Sequence, residues 1–137
     1  MFLLDTNILS EFSKPDPDEA VVEWLNERED DMRVSVISIA EIRSGTERMP
    51  AGRRRAALET WLEDGILPRL GPNILPVTLD IADLAGRFEA MRFRLGARGD
   101  VADMLIAATA AVYDLTLTTR NTKHFSGLGL RLRNPFE

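Results

Sequence analysis

Short apolar runs alternate with longer helical segments along the whole chain, and this alternation restricts the fold more than any other feature. The runs fall at residues 2–4, 33–36, 74–77 and 116–119. Each is too short for a stable helix. The segments between them carry apolar side chains at helical spacing: Val21, Val22, Trp24 and Leu25 in one, Ile81, Leu84, Ala85, Phe88 and Met91 in another. Strands separated by helical crossovers predict an α/β fold, with a parallel sheet covered by helices on both faces. In such folds ligands bind beyond the C-terminal ends of the strands, where the strand order reverses. A residue that directly follows a strand therefore carries more functional weight than one elsewhere.

The first strand ends on such a residue. Phe2, Leu3 and Leu4 run into Asp5, with Thr6 and Asn7 behind it. Thr6 or Asn7 is expected to cap a short helix reaching Phe12. Helices are expected over residues 18–29, 53–67, 80–95 and 101–113. The third of these ends in residues 96–99. In the helix over 53–67, Ala56, Ala57, Leu58, Trp61 and Leu62 form the expected buried side. Ser38 followed by Glu41 has capping-box spacing and marks a helix start. Pro76 places the third run at a sheet edge or strand end. Asp100 is positioned to cap the helix that carries Asp103, and an almost wholly apolar stretch over 104–112 marks that helix as buried. A short last strand is expected at 130–132.

Length bounds the chain to one domain over residues 1–137, large enough for a substantial core. No apolar run approaches the ~20 residues that span a bilayer, and no signal peptide is recognisable, which points to the cytoplasm and away from membranes. There is no cysteine and one histidine, His124, so thiolate and multi-histidine metal sites are excluded. The net charge is −5, with fifteen arginines against two lysines. Arginine forks match carboxylates and phosphates in two-point geometry, and codon bias accounts for the excess equally well.

Asp5, Asp103 and Asn121 thus attach where a doubly wound sheet places ligands, and Glu41 reaches the same place if its helix starts there. Three carboxylates brought together raise one another's proton affinity, and a hard divalent cation relieves that conflict. Oxygen ligands without thiolates select Mg²⁺, with Mn²⁺ as the alternative. Taken singly, each residue has a structural reading as well. Asp5 and Asp100 serve as caps, Glu41 as the capping partner of Ser38, Asn121 as a turn residue, and His124 as a surface or packing side chain.

Four stretches carry a family resemblance: Leu4-Asp5-Thr6-Asn7-Ile8, Ser38-Ile39-Ala40-Glu41-Ile42-Arg43-Ser44-Gly45, Ala102-Asp103-Met104-Leu105-Ile106-Ala107-Ala108-Thr109-Ala110, and Thr118-Thr119-Arg120-Asn121-Thr122-Lys123-His124-Phe125. In this order and spacing the chain resembles the PIN-domain ribonucleases, in particular the VapC/FitB-type toxins of bacterial toxin–antitoxin pairs. The resemblance implies a three-layer α/β/α sandwich with a central parallel sheet. It implies Mg²⁺- or Mn²⁺-dependent hydrolysis of RNA, with Asp5, Glu41 and Asp103 as metal-binding acids. Thr6 and Thr119 are supporting hydroxyls in the same motifs. It further implies a homodimer and a small antitoxin partner, which supplies the contact to operator DNA. Where the family often has a fourth acid after strand four, this chain has Asn121, which adds no charge. Arg43, Arg120 and Lys123 neighbour the motif residues and are candidates to hold RNA phosphate. The same residues admit a second reading, in which the module is catalytically weak or inactive and acts through a complex with a DNA-binding partner.

Overall fold

The computed structural model describes residues 1–97 and 100–137. Five strands, β1 (Phe2–Leu4), β2 (Met32–Ser35), β3 (Ile74–Leu75), β4 (Thr116–Thr118) and β5 (Leu132–Arg133), form one sheet in the order β3-β2-β1-β4-β5. All four pairings are parallel, and Leu4 faces Val34 on one side and Thr118 on the other. The chain builds outward from β1 to β2 and β3, then returns to the opposite side of β1. The centre of the sheet is therefore where the strand order reverses, and Asp5 stands at its C-terminal end.

The helices are α1 (Thr6–Glu11), α2 (Glu19–Glu27), α3 (Val36–Glu47), α4 (Arg53–Thr60), α5 (Leu67–Leu70), α6 (Leu79–Arg94) and α7 (Val101–Val112). Successive side chains of a strand point to opposite faces, and β1 uses this to seed two cores. Leu3 packs with Ile81, Phe88, Ile106 and Leu117, the layer built by α6 and α7. Leu4 packs with Ile8, Val21, Leu25 and Leu62 on the other face. The result is the three-layer sandwich the resemblance implies. No helix among the described residues is long and apolar enough to cross a membrane.

The structure corrects several local expectations. Asp5, rather than Thr6 or Asn7, is the N-cap of α1, its Oδ1 accepting from the Thr6 N–H at 2.8 Å. Ser38 is no cap. Ser35 accepts from the Ile37 N–H at 3.0 Å and starts α3 three residues earlier, so Ser38 is buried within the first turn. The second strand accordingly ends at Ser35, and the third ends at Leu75, just before Pro76, on the sheet edge. The long helix over 53–67 widens into a π-helix at Trp61–Ile66. Ala56 and Ala57 are exposed, and the buried stripe runs through Leu62, Ile66 and Leu70. Asp100 does cap α7, accepting from the Ala102 N–H at 2.9 Å. Helix α6 ends at Arg94, and Gly96 adopts a positive φ of 78° that suits glycine after a helix. Of the segment 96–99 expected to end it, Arg98 and Gly99 lie outside the described residues.

Candidate active site

Asp5 is the most constrained carboxylate. It is buried, 5% exposed, and three donors hold it. The Thr6 N–H donates to Oδ1 at 2.8 Å, the Thr119 hydroxyl to Oδ2 at 2.8 Å and the Asn7 amide to Oδ2 at 3.3 Å. Thr119 itself accepts from the Asn121 N–H at 3.0 Å, so a relay runs from the Asn121 backbone through Thr119 to Asp5. Such chains polarise each other and rigidify the group at their end. The Asn7 carbonyl oxygen accepts from the Arg120 N–H at 3.3 Å and ties α1 to the loop after β4. Burial pushes the Asp5 carboxyl above its usual range, against the opposing pull of these donors and of nearby His124.

Glu41 reaches the same region from α3. The Thr6 hydroxyl donates to its Oε1 at 2.7 Å and lies 3.0 Å from Ser38 Oγ. A hydroxyl has one proton. With that proton given to the carboxylate, Ser38 is the donor in the second contact. Ser38 thus orients Thr6, and Thr6 orients Glu41.

Asp103, on the first turn of α7, is held differently. Among the described residues it is approached by the imidazole of His124, whose Nδ1 lies 3.5 Å from Asp103 Oδ2. Its carboxyl is pushed up to about 6, first by burial and then by the charges of Asp5 and Asp100, with Glu41 adding to them and His124 opposing. The electrostatic coupling shows that Asp5, Glu41, Asp100 and Asp103 share one neighbourhood. They do not form a tight cage: among the described residues no three acid or imidazole side chains converge on a single ion position. An all-oxygen set of partly buried, mutually repelling acids nonetheless fits a hard cation such as Mg²⁺, which keeps several waters and needs one or two direct carboxylates.

The remaining candidates sit around this set. Asn121 is exposed at the start of the short 3₁₀ turn Thr122–Phe125 and enters through its backbone. The Arg120 guanidinium lies over the Phe136 ring, 4.5 Å from its centroid. Arg43 is engaged by Glu63 at 2.9 Å and Glu47 at 3.7 Å. Lys123 is exposed. A depression of about 660 Å³ opens beside Glu41 between α3 and α7, lined also by Thr6, Arg48 and Val101. Three participants escape a reading based on charge: Ser38, Asn7 and the His124 contact to Asp103. Ser38 and Asn7 sit inside the motifs that carry the acids, which is the signal that could have found them.

The PIN domain family profile matches residues 2–129. The chain is 38% identical over 138 residues to a VapC ribonuclease of Sinorhizobium fredii, covering 100% of this chain and 99% of that protein. It is 36% identical over 137 residues to the toxin FitB of Neisseria gonorrhoeae, covering 99% of each. Its backbone matches, with a TM-score of 0.91, a chain in the solved structure of FitAB bound to a DNA fragment, at 34% identity and covering 100% of this chain and 96% of that one. Strand order, Asp5 at the end of the central strand and full-length similarity agree: the chain belongs to the PIN domain family.

Proposed function

We propose that this protein is a divalent-metal-dependent ribonuclease and the toxin of a toxin–antitoxin pair. Asp5, Glu41 and Asp103 hold Mg²⁺, with Mn²⁺ able to take its place. The observation that carries this reading is the raised proton affinity of Asp103, caused by burial and by the charges of Asp5 after β1, Asp100 at the cap of its own helix and Glu41 on α3. Perturbed carboxylates of this kind cluster at functional sites. When bound, such a cation lowers the pKa of water and offsets charge on a phosphodiester undergoing in-line displacement.

The protein's own groups set up that reaction. Asp5 keeps one orientation because three donors fix it. Thr6 keeps Glu41 turned toward the same region. His124 favours the ionised form of Asp103, the form that binds a cation. Arg120, Lys123 and Asn121 surround the strand end and meet the RNA backbone and the attacking water. The products carry 5′-phosphate and 3′-hydroxyl ends. The partners are an RNA substrate, a second copy of the chain, and an antitoxin through which operator DNA is contacted. Incubation of the purified protein with total RNA, with Mg²⁺ or with chelator, tests the assignment. Cleavage should require the metal and disappear in Asp5→Asn and Asp103→Asn, and undiminished cleavage by those variants would refute it.

A second reading has its own observation. The acids do not converge on one ion position, and Asn121 adds no charge. A module with weak or no catalysis, acting through its DNA-binding partner, has the same fold. Induced expression separates the two: growth arrest that depends on Asp5 marks the enzyme, and tight partner binding without arrest marks the module.

A further inference from the structure

A second cavity reaches the acids from another direction. It has a volume of about 210 Å³ and lies between α1, α3 and α4, lined by Thr6, Ser10, Glu41, Arg54 and Trp61 among others. Thr6 and Glu41 of the candidate active site line it, so it adjoins that site on the Glu41 side.

Three features give it chemical character. Trp61, half-buried, opens the π-helix Trp61–Ile66. Helical turns of this width are rare and concentrate at functional sites. Arg54 is exposed at the cavity edge, and its Nη1 donates to the Ser13 carbonyl at 3.0 Å, which pins α4 to the end of α1. Its neighbours on the same face are committed elsewhere, Arg43 to Glu63 and Arg55 to Glu47 and Glu59. Ser10 adds a hydroxyl to the wall.

An indole, an oriented guanidinium and a hydroxyl beside a set of acids match the parts of one nucleotide. Unpaired RNA bases are read by stacking on aromatic rings and by hydrogen bonds to their edges. Arginine meets phosphate with two-point geometry. The volume gives room for a single base and none for a base pair. We propose that this cavity is a subsite for one unpaired RNA nucleobase flanking the bond that is cut, with Trp61 stacking on the base and Arg54 holding an adjacent phosphate. The assignment rests on the ribonuclease reading above.

The test uses short single-stranded oligoribonucleotides that the wild-type protein cuts, and the same strands with one abasic position. An abasic residue at one position beside the cut raises KM about tenfold and leaves kcat unchanged. Trp61→Ala raises KM for the intact strand by a similar factor and erases the abasic penalty, and Trp61→Phe restores most of the loss. Arg54→Ala, a change at an exposed side chain, raises KM several-fold and flattens its salt dependence. An unchanged KM in Trp61→Ala overturns the subsite, as do Trp61→Ala and abasic penalties that simply multiply. Intact KM with lost antitoxin binding overturns it too, and gives the cavity to the protein partner. Should Trp61→Ala fail to fold, the abasic series on wild-type protein decides, since no position-specific penalty means no base subsite. Wild-type protein that cuts no RNA defeats the ribonuclease reading and the subsite together, whereas cutting with a Trp61-independent KM defeats the subsite alone.

Discussion

The two sides of the acid site are built on different principles. On the β1 side, Asp5 and Glu41 are fixed by hydroxyl and amide donors from Thr6, Asn7 and Thr119. On the α7 side, Asp103 has burial and repulsion acting on it and a 3.5 Å approach from His124. One side is organised before any ligand arrives. The other carries a charge conflict whose relief depends on what arrives. A site of this kind couples rigidity to responsiveness: the fixed side sets geometry, and on the proposed metal-dependent reading the charge conflict of the other side is what a cation would relieve.

The largest test of this contrast is Asp5→Asn. Asparagine caps a helix about as well as aspartate, so α1 should persist. Loss of the charge should still lower metal-dependent cleavage about a thousandfold, the several kcal/mol that a metal's charge stabilisation supplies. Retained activity in a folded Asp5→Asn protein would place the fixed side outside the chemistry. Next is Thr119→Val, which leaves every acid in place and removes the donor to Asp5 Oδ2. Metal affinity, followed by calorimetric titration with Mn²⁺, should weaken about 10- to 100-fold, as for other groups that orient a ligand. An unchanged affinity would mean that the relay through Thr119 organises nothing.

The strained side has a pH signature. The Asp103 carboxyl, with a model-compound value of 3.8, lies at about 6 in the fold, so the folded state holds its proton more tightly than the unfolded chain. The resulting stabilisation is fully present below pH 3.8 and is lost as pH rises through about 6. In chelator, Asp103→Asn should therefore melt a few degrees higher than wild type at neutral pH and gain nothing below pH 3.8. Mg²⁺ should cancel the difference by stabilising wild type. Equal melting curves at neutral pH would remove the charge conflict from the account. The smallest effect is expected from Asn121→Asp. It restores a charge at an exposed position and should tighten Mn²⁺ binding only a few-fold; a much larger gain would make the fourth position a full ligand.

Much of this arrangement is legible in the chain because it depends on local rules. The alternation of Leu3 and Leu4 feeds two cores, and Asp18 and Asp100 cap helices as short polar side chains before apolar periods do. Asp5 and Asp103 stand out because the end of β1 and the start of α7 are visible in sequence. The start of α3 is not, because Ser35 is at once the last strand residue and the cap, and the β-branched Val36 reads as strand. The spacing of Ser38 and Glu41 imitates a capping box, but Glu41 turns to Thr6 on another helix instead. Arg43 reads as a phosphate contact until Glu63, distant in sequence, claims it. The π-helix at Trp61 escapes a pattern search tuned to the ordinary turn. The Glu41 and Arg43 contacts depend on partners from remote segments, which periodicity does not encode.

The place of β1 has a consequence for synthesis. The Asp5 N–H pairs with the Thr118 carbonyl, and the Asp5 carboxylate with Thr119, 114 residues further along. A chain emerging from the ribosome presents Asp5 first and must wait on the order of ten seconds for those partners. Contacts of such separation also close late in folding. The Thr119 contact to Asp5 therefore forms only once nearly the whole chain exists, whereas the Thr6 and Asn7 contacts need only residues 5–41. The last bond to lock the Asp5 carboxylate is thus the one supplied by the end of β4, near the C-terminal end of the chain.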